Sequence, residues 1–171
     1  SKTDQEIVVG NSKAALAQSQ EKLAIAKIEQ ETNISQANLK LMLAKLESEK
    51  YFDGEYPQQK QDAESKIAVA REELERAQET LSWTKKLAAE GFVTRSELQA
   101  DELSLRQKEI SLESAIVSMN LLTNYTARQQ QAKLKSDVDQ AERDLDRATR
   151  QANANIVQAE SDLAAKRQEN E

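Results

Sequence analysis

A chain of 171 residues that is 38% hydrophobic but only 4% aromatic, with 3 Gly and 1 Pro, lacks the bulky side chains and turn residues of an ordinary globular domain. Its apolar set is mainly Ala and Leu, which join Glu, Gln, Lys and Arg as strong helix formers, so an all-α, coiled-coil fold is expected. The net charge of −6 comes from 24 basic and 30 acidic residues intermixed, which leaves no basic block for a nucleic-acid backbone, and no apolar run is long enough to span a membrane.

In chain order, Ile34, Ala37, Leu41 and Ala44 give a first short helical seam. A break follows at Tyr51-Phe52-Asp53-Gly54-Glu55-Tyr56-Pro57, where Pro57 removes a helix hydrogen bond. Ala63, Ile67, Ala70, Leu74, Ala77, Leu81, Thr84 and Ala88 then recur at alternating steps of four and three, a heptad seam. Small Ala alternates with large Ile or Leu along it, so a partner helix can approach closely. A second break, Glu90-Gly91-Phe92-Val93-Thr94, precedes Leu98, Leu105, Leu112 and Met119, with Leu103, Ile110 and Val117 forming another row of the same period. A weaker third break lies at Leu122-Thr123-Asn124-Tyr125-Thr126. Beyond it Leu134, Val138, Ala141, Leu145, Ala148, Ala152, Ile156, Ala159 and Leu163 continue, with a stutter at Ala148-Ala152-Ile156. Acid-first pairs four apart, among them Glu72/Arg76 and Asp146/Arg150, support a solvated outer surface.

The middle break carries both a stop and a start. Gly91 at C′ takes the left-handed conformation cheaply, and Phe92 at C″ with Leu87 at C3 is the apolar pair of a Schellman motif. Thr94 as the next N-cap puts Glu97 at N3, a capping box, and makes Val93 and Leu98 a hydrophobic staple. So short a connection forces antiparallel neighbours. The expected fold is a long antiparallel two-stranded coiled-coil hairpin: arm one 1–90, tip 91–94, arm two 95–171. A joint is expected where 51–59 faces 122–126, with Tyr51, Gly54, Tyr56, Pro57 and Tyr125 as its residues. Both ends read as helix, so a single hairpin domain cut from a longer protein is expected.

With no His and no Cys, Ser-His-Asp, Cys-His and ordinary zinc sites are absent, and a solvated helix face offers no pocket to shift a carboxylate pKa. No catalytic, cofactor or metal residue is expected, and the chain is not expected to be an enzyme. The tip alone is unusual in composition: Trp83, Leu87, Phe92 and Val93 lie beside Lys85, Lys86 and Arg95. These residues serve the turn, and they also fit a docking knob of apolar anchors ringed by basic groups. A ligand clamp at the joint would need a concave pocket lined by Tyr51, Tyr56 and Tyr125.

The run Leu87-Ala88-Ala89-Glu90-Gly91-Phe92-Val93-Thr94-Arg95-Ser96-Glu97-Leu98 between two coiled-coil arms resembles the hairpin tip of membrane fusion proteins, the periplasmic adaptors of HlyD-like type. The segment Tyr51–Gln58 is similar to a variant seen in some adaptors. The resemblance implies a hairpin from a membrane-anchored protein of the periplasm. Its tip would meet an outer-membrane channel, an inner-membrane transporter would lie behind it, and the full-length protein would self-associate. It implies no cofactor. A family tip pattern of Arg, three residues, Leu, six residues, Ser falls on Trp83, Leu87 and Thr94. Leu87 matches, Thr94 keeps the hydroxyl, and Trp83 departs from it. That departure leaves open a partner other than a TolC-like channel, or tip-to-tip pairing with another adaptor. The alternative outside the family is a structural coiled-coil tether or dimerisation module.

Overall fold

The computed structural model describes residues 1–171 and contains helices and turns only. The helices are α1 (Lys2–Glu49), α2 (Tyr56–Ala89), α3 (Arg95–Leu121) and α4 (Ala127–Asn170). Short π-helical segments, Lys50–Glu55 and Leu122–Thr126, connect α1 to α2 and α3 to α4. Contacts divide the chain into two compact units, 1–47 with 134–171, and 48–133. No helix is long and apolar enough to cross a membrane.

In the unit formed by 48–133, α2 and α3 run antiparallel. Thr84 pairs with Asp101 and Glu73 with Lys108, so numbers fall on one helix as they rise on the other. The eight predicted seam residues of α2, from Ala63 to Ala88, are its buried and half-buried positions between Pro57 and Glu90, and everything else there is exposed. On α3 the row Leu98, Leu105, Leu112 and Met119 turns inward as predicted. The row Leu103, Ile110 and Val117 does not: all three are exposed, and Asp101, Lys108 and Ala115 take the alternate inward places. Two of those are charged, which is why apolar periodicity alone selects the wrong second row.

In the unit formed by 1–47 and 134–171, α1 pairs with α4. Asn170 donates its side-chain amide to the Ser12 carbonyl at 3.1 Å, and Gln30, Asn33 and Ala37 share a groove with Asp144, Ala148 and Gln151. All nine residues of the predicted α4 row are buried or half-buried, with Ala152 the most enclosed at 1% exposure. Opposite, Ile34, Ala37, Leu41 and Ala44 turn inward, joined by a buried Gln30. Among the acid-first pairs, Glu72–Arg76 closes at 3.1 Å and Asp146–Arg150 at 3.0 Å.

The predicted joint stays helical. Both its breaks are π turns, and each resolves a one-residue slip in the inward row. That row runs Ala44, Ser48, Tyr51 and then steps five residues to Tyr56, and the Tyr56 N–H donates to the Tyr51 carbonyl. In the other arm it runs Ala115, Met119, Leu122 and steps five to Ala127, whose N–H donates to the Leu122 carbonyl. A five-residue hydrogen bond is what keeps an inserted residue from rotating the seam out of contact. The Lys50–Glu55 ion pair at 3.2 Å spans the same five-residue step. Thr123 donates its hydroxyl to the Met119 carbonyl at 3.0 Å, giving a partner to a carbonyl at the start of the widened turn. Pro57 follows directly, where the wider turn relieves its ring against the carbonyl four residues back.

Of the joint residues, Tyr51 is buried, Tyr56 half-buried, and Gly54, Pro57 and Tyr125 exposed. The Tyr51 ring stacks on Tyr56 with centroids 6.0 Å apart and meets Phe52 edge-on at 5.5 Å. Tyr125, 69% exposed, closes no three-tyrosine pocket. The Tyr51 hydroxyl is buried with no hydrogen-bond partner. Burial first, then the neighbouring Tyr56 and Glu55, raise its pKa above the ordinary 10.0. Because the folded value is raised, the stability that a neutral Tyr51 contributes is fully present below pH 10 and is lost as pH rises through the folded value. Tyr51→Phe is therefore expected to be neutral or stabilising by about 1 kcal/mol, since it deletes an unpaired buried polar group. It should also blunt the alkaline loss of stability, and urea titrations of both proteins at neutral pH and above pH 10 check both effects.

Candidate docking tip

The turn is built as the sequence predicts. Gly91 has a φ of 80°, the one positive φ in the chain. The Phe92 N–H donates to the Leu87 carbonyl at 2.9 Å and the Gly91 N–H to the Ala88 carbonyl at 3.1 Å, the paired bonds of a Schellman motif. Thr94 then opens α3 as its N-cap. The Thr94 hydroxyl accepts from the Glu97 N–H at 3.1 Å, and the Glu97 carboxylate accepts from the Thr94 N–H at 3.0 Å. Val93 and Leu98 are both half-buried at the staple positions. A Cβ at Gly91 would meet nothing within 4 Å, so substitution there is opposed by backbone conformation alone. Gly91→Val is expected to lower stability by roughly 1–2 kcal/mol. Thermal melts check this, and a variant as stable as the parent would mean the turn does without the left-handed residue.

The capped turn leaves a set of large apolar groups in solvent. Phe92 is 73% exposed, Trp83 66% and Leu87 39%. Leu87 and Phe92 hold the turn through backbone atoms, which frees both side chains. The Lys86 ammonium lies 5.0 Å from the centre of the Trp83 ring, a cation–π contact that fixes the indole against its own helix. Arg95 is exposed at the first position of α3. The structure thus brings Trp83, Leu87, Phe92 and Arg95 to the tip as accessible groups. Thr94 is exposed but committed to its cap, and Val93 is half turned inward.

Below the turn lies a contact that apolar periodicity does not reveal. The seam residue Thr84, 9% exposed, donates its hydroxyl to Asp101 Oδ2 at 2.5 Å, with the Thr80 carbonyl 2.9 Å away as an alternative acceptor. Asp101 stands at an inward position of α3, and only its spacing from Leu98 and Leu105 marks it in the sequence. One heptad further along α3, Lys108 reaches Glu73 at 3.2 Å. The part-buried Thr84–Asp101 bond is satisfied in a single alignment of α2 and α3 and helps fix the register that presents the tip, while the solvent-exposed Glu73–Lys108 pair agrees with that alignment and adds little to it. No group of acidic residues in the chain is arranged to hold a metal ion.

No protein-family model matches this chain, and neither the curated proteins nor the solved structures contain a significant match to it.

Proposed function

We propose that the chain is the α-hairpin of a periplasmic adaptor of membrane-fusion type. It acts without catalysis as a spacer and docking tip between an inner-membrane transporter and an outer-membrane channel during export or efflux. The observation that carries this is the tip: Trp83, Leu87 and Phe92 stand exposed on a turn held by a Schellman motif and a capping box. Large apolar groups held in solvent on a rigid support favour a partner surface. The sequence of the turn, with its resemblance to adaptor tips, supplies the kind of partner, and the setting is the cell envelope.

The Thr84–Asp101 bond supports the same role, because a docking element must not slide along its own seam. A photo-crosslinking residue in place of Phe92 in the full-length protein tests the proposal in cells. The expected result is a covalent product with an outer-membrane channel, or with a second adaptor tip. Recovery of the protein uncrosslinked at Phe92, with transport intact, would contradict it.

A further inference from the structure

Helix α1 is apolar on two opposite sides. Its inward side faces α4 and carries Leu23, Ala26, Gln30, Ile34, Ala37 and Leu41. A second row, Ile25, Ile28, Thr32, Ser35, Leu39, Met42 and Leu46, recurs at strict steps of three and four, and every member is exposed. At 100° per residue the two rows lie on opposite faces of the helix. A helix that only covered α4 would be polar on its far side, as α4 largely is. The outer row has the spacing of a coiled-coil seam and runs about 33 Å.

We infer that this outer row pairs with the same row of a second copy of the chain, antiparallel, to form a homodimer. The flanking charges select the partner and its direction. Glu31 and Lys45 border the row, are exposed, and have no ion-pair partner within the chain. In an antiparallel pair centred between Ser35 and Leu39, Glu31 of each copy meets Lys45 of the other, twice by symmetry. A parallel in-register pair gives neither charge an opposite one. The same centring sets large against small at Leu39 with Ser35 and Met42 with Thr32, and places Leu46 against Ile28. The dimer requires no tip residue and stands or falls independently of the adaptor proposal.

Sedimentation of the whole chain tests this, with a species of twice the 19.2 kDa chain mass expected at micromolar concentration. Leu39→Glu with Met42→Glu should give a monomer of unchanged helicity, because both side chains are exposed in the single chain. Glu31→Lys should weaken the dimer by about tenfold, and adding Lys45→Glu should restore it. Direction is read from a disulfide: the chain has no Cys, and Asn38 lies opposite Asn38 of the second copy across the symmetry axis. Asn38→Cys should therefore oxidise to a covalent dimer. A wild-type chain monomeric up to roughly 100 µM would overturn the inference. So would a double charge swap that fails to restore pairing, or a disulfide formed by Leu39→Cys and not by Asn38→Cys.

Discussion

Under the proposed adaptor role, replacing Leu87 and Phe92 together by Asp is expected to abolish transport while leaving helix content nearly unchanged. The fold tolerates the change because both residues hold the turn through the backbone: the Phe92 N–H still reaches the Leu87 carbonyl whatever the side chains are. Both side chains are also open to solvent, so Asp at either place remains hydrated in the free protein. Docking is different. A partner surface that covers the tip would strip water from two carboxylates with no opposite charge supplied, a penalty of several kcal/mol. That is enough to empty a micromolar complex. Circular dichroism separates this from unfolding, and Thr94→Ala provides the converse control. It removes the cap of α3 at about 1 kcal/mol without touching an exposed anchor, so it should lower stability and spare transport. Unimpaired export by the double Asp variant would refute the docking tip.

The second large effect is expected in the other unit. Leu134, 3% exposed, is the most enclosed large side chain of the α1–α4 pair. Leu134→Ala is expected to cost about 2–3 kcal/mol, since a seam one residue wide has few neighbours able to collapse into the space. Leu103→Ala, at a position 59% exposed, should stay within about 0.5 kcal/mol. Urea unfolding of the two variants beside the parent measures the contrast. Equal losses would mean that Leu103 is covered and not open to solvent.

Much of this was legible in the residues themselves. The turn was, because Leu87, Gly91, Phe92, Thr94 and Glu97 each have one place in a stop-and-start pair, and all five agree on a single register. The seams of α2 and α4 were, because they are long rows, apolar at every place but Thr84. Three features were hidden, each for a physical reason. Asp101 and Lys108 are charged, and periodicity arguments assign charges to the outside; both face inward because Thr84 and Glu73 meet them across the pair. The Leu103, Ile110 and Val117 row has the right period yet points to solvent, since period fixes a face of the helix but not which face is covered. The joint looked like broken helix because Gly54 and Pro57 are breakers. The five-residue steps from Tyr51 to Tyr56 and from Leu122 to Ala127 show that one added residue in each arm is taken up by a π turn. A phase count across each break would have found it.

The tip exists only if α2 and α3 fold back on each other at Gly91. Spin labels at Glu73→Cys and Lys108→Cys, diluted with unlabelled protein, measure this directly, because the native side chains at these places meet at 3.2 Å. The hairpin predicts a backbone separation of about 10 Å, widened only by label reach. A single unbroken helix would put the labels roughly 50 Å apart, and that distance would remove the tip and the docking role with it.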